Sequence, residues 1–184
     1  APLCPMCGRA MIQRAHPARR GEPVCPDCWE KEAQGRRIRE FESISDRWAL
    51  EEAKAAGMAP RELKASRERI PVEIKRALPA ERVLALLNGE IPSQGWGIGS
   101  RGTGGGKTLA FASIFREAIQ AHGLAEVRAG RDIPVNPWLV WEPWPAAVDW
   151  IRKNATSEGF QRFVDRLVTA PVLFLDDLGS GCLI

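Results

Sequence analysis

One stretch constrains this chain more than any other: Gly97 to Leu109, which reads G-I-G-S-R-G-T-G-G-G-K-T-L. Glycines let successive backbone N–H groups curl around an anion, and a helix opening at Lys107 adds partial positive charge at the same point. In such a cradle Gly102, Thr103, Gly104, Gly105 and Gly106 supply backbone donors. Lys107 supplies a point charge to the β- and γ-phosphates of ATP, and the Thr108 hydroxyl holds Mg²⁺. The bland alternative is a flexible glycine linker that happens to end in Lys-Thr. The fit to G-x-x-x-x-G-K-[ST] is imperfect, because Arg101 stands where a glycine is wanted five places before Gly106. Either Arg101 replaces a turn glycine or, counted from Gly99, the loop is two residues longer. Nucleotide binding tolerates either more easily than hydrolysis, which needs tighter positioning.

A second stretch reads V-L-F-L-D-D-L-G from Val172 to Gly179. Four apolar residues followed by two acids put charge at the C-terminal edge of a buried strand, where ligands sit in open α/β sheets. Asp176 is expected to hold the Mg²⁺ hydration shell and Asp177 to orient the attacking water, with Lys107 the other catalytic candidate. Taken alone, Asp-Asp is also an ordinary strand exit.

The first 28 residues carry two pairs, C-P-M-C at Cys4 and Cys7 and C-P-D-C at Cys25 and Cys28. Their separation matches the C-x₂-C-x₁₅₋₂₀-C-x₂-C zinc pattern. A two-residue gap lets both thiolates of a turn reach one tetrahedral ion. So short a module cannot hold itself together by apolar burial, so metal binding supplies its folding energy. Structural Zn²⁺ is the reading; disulfides or a redox pair are the alternative. His16 is a spare ligand or a solvated loop residue. Arg9, Arg14, Arg19 and Arg20 in the intervening loop form either a contact surface or a solvated basic loop.

Residues 29–69 are rich in Glu, Lys, Arg and Ala with few apolar anchors, and read as helices linking two modules, with a stop at Gly57 and a new turn from Pro60 through Leu63. A helix from Pro79 ends at Asn88-Gly89, and Gly97-Ile98 reads as a short strand. Leu109, Phe111, Ala112, Phe115 and Ile119 recur at helical spacing, so Thr108 to His122 is a helix stopped by Gly123, followed by a basic loop over 125–136. Pro137 to Trp141 reads as a buried strand, and 146–154 and 160–169 as helices. Trp138, Trp141, Trp144 and Trp150 are either core aromatics or platforms for single-stranded bases. Strand, loop, helix, strand, helices, strand is the order of a parallel sheet covered by helices.

Composition narrows the rest. With 26 basic and 23 acidic residues in 184, the net charge of +3 does not argue nucleic-acid binding by itself. No stretch is apolar enough to cross a membrane and none reads as a signal peptide, so the expectation is a cytoplasmic protein.

Together, Ile70-Pro71, G-S-R-G-T-G-G-G-K-T at 99–108 and V-L-F-L-D-D-L-G at 172–179 resemble the DnaC/DnaI helicase loaders, AAA+ ATPases related to the IstB transposition proteins. The resemblance implies an α/β fold: a parallel three-layer P-loop core over 70–184, preceded by a zinc ribbon at 1–30 and a charged helical linker at 31–69. It implies ATP, Mg²⁺ and Zn²⁺ as cofactors, and a replicative DNA helicase, single-stranded DNA and further copies of the complete protein as partners. The family continues through a sensor residue, an arginine finger and a helical lid, whereas this chain stops seven residues after Asp177, so the expected core is truncated. Two other functions stay open: a transposition or phage DNA-maintenance ATPase helper, and a non-hydrolysing zinc-ribbon adaptor.

Overall fold

The structure, a computed structural model, describes residues 2–11, 16–17, 23–97, 106–133 and 139–177. Its N-terminal part is a knuckle. Gly8 takes φ +70°, which L side chains rarely adopt, and its N–H donates to the Cys4 carbonyl. Cys4 N–H donates in turn to Arg9 O, and Leu3 bridges Ala10. Two short antiparallel strands follow, β1 (His16–Pro17) and β2 (Pro23–Val24).

Pro26 then opens α1 (Pro26–Ala55), where its missing N–H costs nothing. Gly57 ends the helix at φ +92°, as its position in the sequence suggests. α2 (Pro60–Leu63), a 3₁₀ turn (Arg67–Arg69), α3 (Val72–Ala77) and α4 (Ala80–Leu87) lead towards the glycine-rich stretch. Beyond it run α5 (Lys107–Arg128), β3 (Leu139–Pro143), α6 (Trp144–Asn154), α7 (Glu158–Thr169) and β4 (Val172–Asp176).

β3 and β4 pair in parallel, with Trp141 opposite Phe174 and Pro143 opposite Asp176. A parallel pair needs a long crossover, which α6 and α7 provide. Alternation along β3 sends Trp141 and Glu142 to opposite faces. Trp141 meets Phe115 of α5, with centroids 5.5 Å apart, while Glu142 accepts from Arg166 of α7. Hence α5 and α7 cover opposite faces of the strand pair. The expected α/β class is met at that level, as a two-strand parallel sheet between helices. Gly97 lies outside any strand, and Ile98 outside the described residues.

α5 is the spine of the core. Ile114, Phe115, Ala118 and Ile119 are wholly buried on it. The chain from residue 34 to residue 71 runs down it in the opposite direction. Gln34 of α1 donates to the carbonyls of Val127 and Arg128, Gln120 reaches Ser45 and Asp46, and Arg116 donates to the carbonyls of Leu63 and Ala65. Further along, Ile70 and Ile74 bury against Ala110. Residues 31–69, read from sequence as a linker, thus contribute Ala49, Ala53, Met58 and Ala65 to the same core as Phe115 and Trp141. Small side chains let α1 approach α5 closely; an apolar face built from alanines carries little hydropathy signal.

α5 also runs past the expected stop. Gly123 stays helical and buried, beneath the rings of Trp48 and Phe41. The expected loop from 125 therefore begins only after Arg128. Trp141 is 1% exposed and a core aromatic, whereas Trp150 is half-buried and packs on Phe163 of α7 at 4.5 Å, outside that core. Trp138 lies outside the described residues.

Candidate phosphate-binding edge and four-cysteine centre

Thr108, Phe111 and Phe115 form one stripe of α5, spaced by three and four residues. Phe174 and Asp176 form one face of β4, spaced by two. The stripes lie on one another: Phe115 and Phe111 both pack edge-on against Phe174, at 5.1 and 6.1 Å. Their alignment carries Thr108 to Asp176, and Thr108 Oγ1 donates to Asp176 Oδ1 at 3.1 Å across 68 residues of sequence. The N-terminus of α5 therefore sits at the C-terminal edge of the strand pair.

Gly106 precedes α5 in the left-handed region, at φ +80°. A Cβ there would lie 2.8 Å from Pro71 Cδ and 2.9 Å from its Cγ. Glycine is thus required twice, by backbone angle and by space, and Ile70-Pro71 braces the entry to the helix. Gly106, as the N-cap residue, has no side chain with which to cap the first N–H groups of α5. Lys107 is half-buried in the first turn. The expected cradle residues Gly102, Thr103, Gly104 and Gly105 lie outside the described residues.

Asp176 is half-buried, and burial pushes its carboxyl above the usual aspartate range; the Thr108 hydroxyl works against this, while the charges of Glu62 and Asp177 add to it. Glu62 is the residue sequence reasoning passed over. Its side chain is 10% exposed and its Oε2 accepts from Ala59 N–H at 2.7 Å, which fixes it in the first turn of α2. The sequence signal was a helix-capping glutamate two residues after Pro60, which says nothing about an electrostatic neighbour on β4. Asp177 is exposed and takes φ +62°, which turns the chain out of the strand line immediately after Asp176.

A second constellation stands apart from this edge. The sulfurs of Cys4, Cys7, Cys25 and Cys28 all lie within 4.8 Å of one another, and Cys7 Sγ is 3.7 Å from Cys25 Sγ. A tetrahedral zinc with Zn–S bonds of about 2.3 Å spaces its sulfurs about 3.8 Å apart, so the four thiols fit such an ion. Cys4, Cys25 and Cys28 are buried and Cys7 is exposed. The Cys25 backbone N–H donates to Cys4 Sγ at 3.4 Å, the largest influence holding that thiol down at about 6. Hydrogen bonds donated to Cys7 and Cys25 push Cys28 up to about 12. One thiolate is already favoured, as a metal requires. The sequence spacing thus brings its four expected ligands together, while the side chain of His16 lies outside the described residues.

The two constellations occupy opposite ends of α5. Gln34, beyond which α1 leads to the cysteines, meets the C-terminus of that helix, and Thr108 stands at its N-terminus. Twenty helical residues between them span about 30 Å. Among the described residues no helix is long and apolar enough to cross a membrane. No family model, curated protein or solved structure matches this chain.

Proposed function

We propose that the chain binds Mg·ATP at the junction of α5 and β4, and that it serves as a loader of a replicative helicase onto single-stranded DNA. The observation that carries the nucleotide reading is the Thr108–Asp176 hydrogen bond. It joins the hydroxyl of the Lys-Thr motif to the first acid of the Asp-Asp motif, at a helix N-terminus and a strand C-terminus. In that reading the first N–H groups of α5 and Lys107 meet the phosphates. Thr108 and Asp176 hold Mg²⁺, which would offset the crowding of charge among Asp176, Glu62 and Asp177. Asp177 orients a water. The loader assignment rests on the motif resemblance, and the four-cysteine module, lying beyond the far end of the roughly 30 Å α5, is suited to a partner rather than to the chemistry.

The test is Mg²⁺-dependent ATP binding by calorimetry, for the parent chain and Lys107→Ala. Binding lost in the variant, with its circular dichroism unchanged, supports the site. Undiminished binding in the variant overturns it. Deleting residues 1–30 should then remove capture of the purified helicase and spare ATP binding; the reverse pattern overturns the division of labour.

The four-cysteine cluster favours one other reading, an adaptor that holds zinc and turns over no nucleotide. Zinc without any ATP binding by the parent chain would select it.

A further inference from the structure

α1 is a single helix supported by two separate cores. From Gln34 onward α5 holds it: Gln34 donates to Val127 O and Arg128 O, and Arg37 reaches Gly130 O, Arg131 O and the Asp132 carboxylate. Phe41 then begins its buried face. Residues 26–33 overhang the end of α5. Between Cys28 and Phe41 no side chain of α1 is buried. At its start, α1 has two of the four cysteines, Cys25 as the residue before the first turn and Cys28 within it. Among the described residues that end packs into the small cluster of Cys4, Met11, Val24, Cys25 and Cys28, and Asp27 accepts from Arg9 of the same module.

We infer that metal occupancy of the four cysteines sets the length of α1. The overhang has eight residues, about 12 Å of helix, and helices this short are marginal in water. The Cys25 side chain makes no capping hydrogen bond to the first turn. Apolar burial in so small a cluster cannot hold the module together. With the metal bound, Cys25 and Cys28 are tied to Cys4 and Cys7, the first turn is fixed, and the helix runs unbroken from the cysteines to α5. With the metal removed, the helix starts near Gln34, where the α5 contacts take over. The metal is thereby a clamp that converts a tethered segment into a rigid arm. This device stands independently of nucleotide binding.

Hydrogen exchange read by mass spectrometry on the full chain tests it, with one equivalent of zinc and after chelation. Amides of 27–33 are expected to lose protection by on the order of tenfold or more on chelation, while those of 38–55 keep theirs. Cys28→Ser in the presence of zinc should reproduce the loss and so exclude an effect of the chelator. Unchanged protection at 27–33 overturns the inference. So does a loss that spreads evenly through 38–55, which would mean that the metal holds the whole helix and the boundary at Gln34 does not exist.

Discussion

The Trp48 ring covers Gly123 so closely that a Cβ there would lie 2.6 Å from Cζ3, with Phe41 Cζ at 2.7 Å. Two effects oppose one another in Gly123→Ala. Helix propensity favours alanine by about 1 kcal/mol. Overpacking costs about 1–3 kcal/mol, and Phe41, 2% exposed, has no room to withdraw. The clash should win by about 1 kcal/mol, lowering Tm by about 2–4 °C. A thermal melt checks the sign. A rise would mean that α1 slides on α5 at little cost.

Asp176→Asn should stabilise the fold and remove Mg²⁺-dependent ATP binding. The folded carboxyl titrates above its ordinary value of 3.8 because it is buried near Glu62 and Asp177. Between 3.8 and the raised folded value the native state binds more protons than the unfolded chain, so stability falls as pH rises through that window. Above it the penalty is present in full. Asparagine keeps an acceptor for Thr108 and carries no charge. The variant is therefore expected to melt higher than the parent at pH 7, with the gain shrinking as pH falls towards 4. A lower Tm at pH 7 would show that the carboxylate is a structural ion, and would weaken the nucleotide site.

The parts of this molecule legible in the sequence are those whose chemistry is local. Four cysteines at fixed spacing announce their cluster because two short gaps and one loop suffice to gather them. The order of α5, β3, α6, α7 and β4 follows from runs such as Val172 to Leu175, long enough to bury and too short to be a helix. What escaped was tertiary. Ala49 and Ala53 look like filler until α5 lies against them. Gly123 reads as a stop because its packing partners, Trp48 and Phe41, are more than seventy residues away in sequence. Glu62 belongs to a helix start by its local pattern and to the field of Asp176 only through the fold.

Arg166→Ala should expose the cost of a buried acid. The Glu142 side chain is 10% exposed and Arg166 is its partner across the β3–α7 face. Burial raises the Glu142 carboxyl and the nearby guanidinium lowers it, with burial the larger. Removing Arg166 leaves that acid without its counter-charge and raises it further. Arg166 is half-exposed, so the loss at pH 7 belongs near the low end of about 1–3 kcal/mol. Lowering the pH lets Glu142 take a proton, and a neutral acid needs no cation. Urea unfolding at pH 7 and pH 5 should therefore show a smaller deficit at the lower pH. Equal deficits would assign the effect to lost packing of Arg166 over the Phe163 ring instead.

Gly106 and Pro71 offer a way to separate backbone strain from crowding at the mouth of α5. In Gly106→Ala the new side chain must take φ +80°, at a cost of about 1–2 kcal/mol. Its Cβ also meets the Pro71 ring at 2.8 Å. Pro71→Ala removes the ring carbons that clash and leaves the φ requirement untouched. The cost of Gly106→Ala, measured by denaturation, should therefore be smaller in the Pro71→Ala background, yet stay at about 1 kcal/mol or more. The coupling between the two is the crowding; the remainder is the strain. If the nucleotide site is as proposed, Gly106→Ala should also weaken ATP binding in both backgrounds, because a reoriented Gly106 displaces the first N–H groups of α5 from the phosphates. Strict additivity of the two substitutions would mean that Pro71 merely passes near the helix mouth and braces nothing.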